Sequence, residues 1–163
     1  MNGAEFHLIV NHIPIFSVAF GICIMIWGMI KNSKTVKQIA AVLFVLGAIS
    51  SYIAVESGQE AEEVVEDIPT VTHQLIHEHE ESAETSLWLS IALGVLSLVW
   101  LFADSLNLSF KKPLLIVTLI LGFISAGSLI YTAYLGGHIR HTEIRPSQTA
   151  TPNANMDMDE DSD

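Results

Sequence analysis

The sequence predicts an all-α integral membrane protein: a four-helix bundle with up-down topology, in which helices 2 and 3 extend beyond the membrane as an outer helical hairpin. Half of the 163 residues are apolar and only 15% are charged, and the mean hydropathy is +0.46. The apolar residues are concentrated in four blocks of roughly membrane-spanning length. Strands are not expected, because apolar and polar residues do not alternate and an open sheet cannot satisfy its backbone in lipid.

The four apolar blocks cover residues 8–30, 36–55, 87–103 and 113–136. At about 1.5 Å of rise per residue, each block approaches the ~20 residues that cross ~30 Å of hydrocarbon. The first block does not resemble a cleaved signal peptide, because no basic residue precedes it and no small-residue cleavage site follows it. We therefore expect residues 1–146 to form one four-span bundle.

The basic residues indicate the orientation of the bundle. Five of the seven Lys and Arg residues lie in or directly beside the connection between blocks one and two or the connection between blocks three and four. The positive-inside rule assigns this side to the cytoplasm, which predicts a bacterial inner-membrane protein with both termini periplasmic. All seven histidines fall on the opposite side. The net charge of −11 removes the usual electrostatic basis for binding nucleic acid. The five basic residues are Lys31, Lys34, Lys37, Lys111 and Lys112.

The segment 56–86 is predicted to be a helical hairpin. Apolar residues at helical spacing continue the second helix beyond the membrane. Pro69 ends this helix, and Thr70 or Thr72 can cap the next one, which runs without a break into the third span. The tail 147–163 contains Pro and Asn and ends in an acidic run, a composition typical of disorder.

Small residues at helical spacing predict the packing face of the third helix, because closely packed membrane helices present such residues to each other. His79 lies on this face. His73, His77 and Glu80 lie on the opposite face, where we expect them to be solvated. The predicted packing face comprises Thr72, Leu75, Ile76, His79, Ser82, Ala83, Ser86, Ser90, Gly94 and Ser97.

For the first and fourth helices, the sequence leaves two alternatives open for the packing face or its residues. On the first helix, either the face that carries His12 or a second stripe can be the packing face; that stripe contains His7, Asn11, Pro14, Gly21 and Gly28. On the fourth helix, a heptad-like spacing predicts a seam. Its tyrosines have an alternative place in an interfacial aromatic belt. This seam contains Gly127, Tyr131, Tyr134, His138 and His141.

The histidines are the candidate functional residues. Counted from the cytoplasmic ends of the helices, His7, His79 and His138 come to similar depths, and His12 lies lower. Neutral imidazole is the commonest metal ligand, and two histidines from facing helices suit a bis-histidine b-type haem. These four histidines are the predicted cofactor ligands. The small residues Ser86, Ser90, Gly94 and Gly127 are expected to leave room for the porphyrin.

A transition metal ion without a porphyrin is the second interpretation of the cofactor. Its coordination shell would draw on a wider set of side chains. The sequence contains no metalloprotease motif, phosphate loop or nucleophile elbow, so it indicates no catalytic residues and leaves open whether the protein is an enzyme. The single Cys23 excludes a disulfide framework. The metal candidates are His73, His77, His141, Glu80 and Glu81.

Three functions follow from these observations. The first is a haem- or metal-binding electron-transfer component of the inner membrane, which would meet a periplasmic or membrane redox partner. The second is a non-catalytic accessory or interaction protein, whose histidines and acids contact a partner subunit or another copy in an oligomer. The third is a transporter or sensor of transition metal that gathers cations on the acidic hairpin.

Two motifs resemble those of a widespread family of small bacterial four-helix membrane proteins of unknown function. The opening FHLIVNHIPI is similar to the family pattern HPxxxHFPI, and YLGGHIRH resembles GYLGGxxxxxH near the final span. The matching positions are His7, His12, Pro14, Gly136 and Gly137, with His141 at a variable spacing. The family is similar in outline to di-haem four-helix membrane cytochromes, and some members are joined to cytochrome c domains. The resemblance therefore implies a redox setting.

Overall fold

A computed structural model describes residues 2–66 and 68–141, and it confirms the all-α bundle. The described residues contain only helices and their connections, and four helical segments are long and apolar enough to cross a membrane. The fold is therefore that of a multi-pass membrane protein. The predicted disordered tail lies outside the described residues. The helices are α1 (Gly3–Val10), α2 (His12–Ile30), α3 (Lys34–Val65), α4 (His73–Ser105) and α5 (Lys111–Arg140).

The first span consists of two helices, α1 and α2, which meet at Asn11. Pro14 follows this junction and has no N–H to donate to the carbonyl of Val10, the usual helical partner four residues back. The predicted hairpin is also present. α3 continues to Val65, and Thr72 caps α4 by accepting a hydrogen bond from the Leu75 amide.

The helices are arranged so that each packs against its neighbours in the chain, and α5 closes the ring against α2. Phe44 of α3 lies at the centre and is fully buried. Glycine allows this placement, because a Cβ on Gly21 would lie 2.6 Å from the Phe44 ring and one on Gly122 would lie 3.4 Å from it. The bundle is less closed at the end where α1 lies. There α1 packs along α3 and touches α2, with at most slight contact to α4 and α5.

The short connections define the lysine end of the bundle, where a buried carboxylate joins three helices. Asp104 of α4 lies 3.6 Å from the ammonium of Lys34 and 3.3 Å from that of Lys111. Oδ2 of Asp104, the oxygen that faces Lys34, also accepts a hydrogen bond of 3.2 Å from the amide of Gln38. Such pairing is what a buried carboxylate requires. The opposite end, which carries the extensions of α3 and α4, is called the histidine end below.

The structure resolves the packing faces. Most of the predicted face of α4 is confirmed, because Ile76, Ser86, Ser90 and Ser97 are buried. Ser82 is half-buried, and the cap residue Thr72 is exposed. On the first span the second stripe is the packing face, since Pro14, Gly21 and Gly28 are buried. The seam predicted for α5 is wrong for four of its five members, and only His138 is buried. The exposed members are Gly127, Tyr131, Tyr134 and His141. The two tyrosines fit the interfacial belt instead. The actual packing face of α5 contains Leu115, Thr118, Gly122, Ser125, Leu129 and Leu135.

The room expected beside the small residues is occupied by neighbouring helices. The hydroxyl of Ser86 lies 2.6 Å from that of Ser128, and Ser90 is fully buried. A Cβ on Gly94 would lie 2.7 Å from the Cβ of Ala48, whereas one on Gly127 would meet nothing within 4 Å. The expectation that these four residues form a porphyrin slot is therefore wrong: three of them hold helices together, and Gly127 faces outward.

We expect Gly94→Ala to destabilise the bundle and Gly127→Ala to leave it intact. The new methyl group at residue 94 must separate α4 from α3, at a cost of about 1–3 kcal/mol. At residue 127 there is open space, and alanine favours a helix over glycine by about 1 kcal/mol. Thermal unfolding of both variants in the same detergent measures the difference. Equal unfolding temperatures would contradict the close approach of α3 and α4 at Gly94.

Candidate histidine site at one end of the bundle

Two of the predicted ligands, His7 of α1 and His79 of α4, face each other at the histidine end. Their ring centroids are 6.4 Å apart, and the ring planes are inclined at 89°. His7 belongs to the α1–α3 side of the bundle and His79 to the α4–α5 side. The pair therefore bridges the two halves of the molecule at the end where the ring of helices is least closed.

His7 is held by α3. Its Nδ1 donates to the carbonyl of Ala54 over 3.0 Å, and the hydroxyl of Ser57 lies 3.1 Å from the same nitrogen. A carbonyl oxygen can only accept, so Nδ1 carries the proton in the neutral ring. Nε2 is then the nitrogen with the free lone pair.

His79 is held in the same way by α5. Its Nδ1 donates to the carbonyl of Thr132 over 3.0 Å, so Nε2 again carries the lone pair. Gly136 of α5 approaches the ring so closely that a Cβ there would lie 3.0 Å from Cε1 of His79. A hydrogen bond from the second ring nitrogen to a backbone carbonyl is the arrangement that orients metal-binding histidines.

The environment of His79 disfavours its charged form. Burial lowers the pKa of His79, the neighbouring His7 lowers it further, and the hydrogen bond to Thr132 partly offsets both effects. His79 lies in the polar part of α4, before the apolar block 87–103. Two imidazoles this close cannot both be charged without repulsion, so the neutral, ligand-competent form is favoured.

His138 is more deeply buried than either histidine of the pair, with 8% of its surface exposed. Its ring centroid lies 4.3 Å from that of Tyr134, with the planes inclined at 66°. The helix α5 continues through Gly136 and Gly137 to Arg140, so the glycine pair does not end it. His138 thus lies at the histidine end, on the same helix that holds His79.

His12 does not join the pair. Its side chain is exposed on the outside of α2, where Nδ1 donates to the carbonyl of Leu8, four residues back, over 3.0 Å. The ring stacks on Phe16 at a centroid distance of 6.4 Å. The structure therefore places His12 apart from His7 and His79, because the packing stripe of the first span is the one that carries His7.

The predicted metal candidates on the outer surface form one exposed pair and no larger group. His77 pairs with Glu81 at 3.6 Å, and both side chains are about 70% exposed, at 69% and 72%. His73, Glu80 and His141 are exposed as well. Among residues 2–66 and 68–141, no group of three or more His, Cys, Asp or Glu side chains is placed to hold a metal ion. A metal shell completed by these residues therefore has no geometric support.

The sequence analysis missed the residues that hold the two rings. Ala54, Ser57 and Thr132 act through backbone carbonyls or a single hydroxyl, for which the sequence gives no individual signal. A polar ladder between α4 and α5 was also missed: the hydroxyl of Thr132 lies 2.7 Å from that of Ser82 and 2.9 Å from that of Ser86. Small residues recur at helical spacing on α5 and indicate this contact, just as the small residues of α4 indicate the packing face of α4.

Comparison of this chain with protein families, curated proteins and solved structures finds no match. The interpretation of the site therefore depends on its own geometry.

The lowered pKa of His79 predicts a loss of stability in acid. A histidine whose pKa is lower in the folded than in the unfolded state binds fewer protons when folded, so stability falls as the pH drops below the unfolded pKa of about 6.5. We expect the unfolding temperature to decrease from about pH 7 to about pH 5, and to decrease less in His79→Gln. The exposed His77→Gln variant is the matched control and should keep the wild-type profile. Identical profiles for all three proteins would contradict this assignment.

Proposed function

We propose that the imidazoles of His7 and His79 would hold a b-type haem, and that the protein is an electron-transfer component of a bacterial membrane. The observation that carries the proposal is the pairing of two half-buried imidazoles from different helices, each oriented through Nδ1 by a backbone carbonyl. The resemblance to the family of small four-helix membrane proteins, and through it to di-haem membrane cytochromes, supports the same setting.

The spacing of the rings fits one shared iron atom. A metal–nitrogen bond of about 2 Å, with about 1 Å from that nitrogen to the ring centre, puts two opposite imidazole centres about 6 Å apart. The observed centroid distance is 6.4 Å, which fits two imidazoles that would hold one iron atom between them.

The number of ligands favours haem over a bare metal ion. A porphyrin supplies four nitrogens, so the protein needs to add only two, whereas a bare transition metal in a protein site usually takes three or four side chains. The described residues offer a pair of histidines and no larger group of metal-binding side chains. The same observation gives no support to a transition-metal carrier.

The residues around the two histidines would accommodate a haem on one side of the pair only. Gly58 and Gly136 lie against the two rings, where a side chain on Gly136 would press on His79. The contact between α4 and α5 from Ser86 onward is closed by hydrogen bonds, so the macrocycle has no place there. Because α1 makes at most slight contact with α4 and α5, a macrocycle held by the two rings would have to lie on that side.

Haem would supply the redox change, and the residues of this chain would orient and insulate it. The carbonyls of Ala54 and Thr132 keep Nδ1 protonated and Nε2 available at both rings. The hydrogen bonds also fix the ring planes. The apolar core below the site, with Phe44 and Trp100 buried, keeps the site away from water on the lysine side.

The distribution of charge supports an orientation with the histidine end outside the cytoplasm. The lysines of both short connections lie at the opposite end of the bundle, which the positive-inside rule assigns to the cytoplasm. The extensions of α3 and α4 carry exposed acids at the histidine end. A redox partner would therefore approach an acidic periplasmic surface, and a basic face on that partner would favour its encounter.

The visible spectrum of the protein purified from haem-replete cells tests the proposal. We expect a Soret band and the low-spin spectrum of bis-histidine haem, with an electron paramagnetic resonance signal characteristic of perpendicular imidazoles. His7→Ala and His79→Ala should each abolish the six-coordinate signal, because each removes one axial nitrogen. Reduction by dithionite should shift the bands.

The matched controls are His12→Ala and His77→Ala, which remove exposed histidines of the same bundle and should keep the full signal. Helical content and the gel-filtration profile establish that each variant is folded. A colourless wild-type protein, or a spectrum that survives both His7→Ala and His79→Ala, would overturn the haem proposal. The accessory interaction role would then be the remaining interpretation.

A further inference from the structure

A groove follows the outward side of α3 at the lysine end of the bundle. It has a volume of about 280 Å³, and three of its lining residues are exposed on the surface of the helix. Its lining changes along the helix, because the polar side chains come first and apolar ones follow. A groove of this kind matches an amphipathic molecule that lies along the helix. The lining residues are Thr35, Gln38, Ile39, Val42 and Leu43.

The groove spans most of one membrane leaflet in depth. Lys34 is the first residue of α3, and Leu43 lies about 13 Å deeper at a helical rise of ~1.5 Å per residue. Half of a hydrocarbon core of ~30 Å is about 15 Å. The polar end of the groove therefore lies at the level of the lipid headgroups, and the apolar end lies beside the acyl chains.

The charge beside the polar end of the groove is positive. Asp104 carries one negative charge, but two ammonium groups pair with it, those of Lys34 and Lys111. Within the part of the chain that the structure describes, Asp104 is the only acid at the lysine end. The pairing therefore leaves a net positive charge even before the other three lysines of this end are counted.

Lys34 is the lysine of this cluster that can reach a second anion. Its side chain is 59% exposed, whereas that of Lys111 is 28% exposed. The Lys34 ammonium and the Gln38 amide contact the same oxygen of Asp104, so the ammonium lies beside the polar end of the groove. An ammonium has three N–H donors and an amide has two, so both groups keep donors for a ligand. Thr35 adds a hydroxyl at the same end.

The chemistry of the two ends identifies the occupant. Phosphate oxygens accept hydrogen bonds from ammonium, amide and hydroxyl groups, and a hydrocarbon chain fits against Ile39, Val42 and Leu43. Basic sites beside membrane helices at headgroup level bind anionic lipids. A choline or ethanolamine group would bring a further cation toward Lys34, so a headgroup without an amine is favoured.

We propose that the groove on α3 binds one anionic phospholipid, whose phosphate pairs with Lys34 and whose acyl chain lies along Ile39, Val42 and Leu43. The site gives the lysine end a specific lipid ligand, in addition to the general contact of the bundle with the bilayer. It stands independently of the haem proposal, because it lies at the opposite end of the bundle and uses none of the histidines.

Lipid binding to the whole purified protein tests the site. Native mass spectrometry measures the affinity of the protein in detergent for dioleoyl phosphatidylglycerol and for dioleoyl phosphatidylcholine, which share their acyl chains and differ in net charge. We expect phosphatidylglycerol to bind at least about fivefold more tightly, which is the effect of one lysine near a lipid surface. Lys34→Gln should remove this preference, because it removes the ammonium beside the groove.

Matched variants separate the site from a general attraction of lipid to the lysines. Lys112→Gln removes the same charge from an exposed residue of α5 and should keep the preference. Val42→Phe narrows the apolar part of the groove with every lysine intact, and it should weaken the binding of phosphatidylglycerol. Val117→Phe is its control on α5 and should bind as the wild type does, because Val42 and Val117 are similarly exposed, at 48% and 51%.

Lys34→Gln also removes a partner of the buried Asp104, so the helical content of this variant is measured first. If it does not fold, Val42→Phe decides the question, because that change leaves the Asp104 cluster untouched. Three results would each overturn the proposal: equal affinities for the two lipids, equal losses in Lys34→Gln and Lys112→Gln, or wild-type binding by Val42→Phe. The second of these would show only a general attraction to the basic end.

Discussion

The structure depends on the close approach of helices through small side chains. Lipid tails are as apolar as the side chains that contact them, so helices in a membrane associate by packing and by hydrogen bonds between them. Gly94 against Ala48 joins α3 to α4, and Ser86 against Ser128 joins α4 to α5. These contacts bring the helices near enough for a carbonyl on one helix to reach an imidazole on the next. The geometry of the histidine pair is therefore a consequence of the packing.

Much of the fold follows from the sequence because its causes are local or periodic. Four apolar blocks predict four spans, Pro69 and Thr72 mark the turn between α3 and α4, and serines at helical spacing identify the packing face of α4. The seam predicted for α5 is wrong, because it follows a heptad pattern through Tyr131 and Tyr134 and not the small residues that lie beside that pattern. A membrane helix exposes large apolar and aromatic side chains to lipid, so size is a better guide to its packing face than hydrophobicity.

For the candidate site, the sequence predicts only how deep each histidine lies in the bundle. Rise per residue places His7 and His79 at similar heights, and the structure brings them within contact of each other. Which histidines converge depends on helix rotation and on partners such as the carbonyls of Ala54 and Thr132, which carry no sequence signature. His12 illustrates the limit: its depth suggested an interior role, but the rotation of α2 directs it outward.

The junction at Asn11 gives the two ends of the first span different mechanical properties. α1 is only eight residues long and is tied to α2 across a turn in which proline removes a backbone hydrogen bond. Its tilt can therefore adjust at lower cost than that of any uninterrupted helix in the bundle. Because His7 lies on this short helix, a change in the tilt of α1 would change the gap between the two rings, whereas Asp104 and its paired lysines hold the opposite end together.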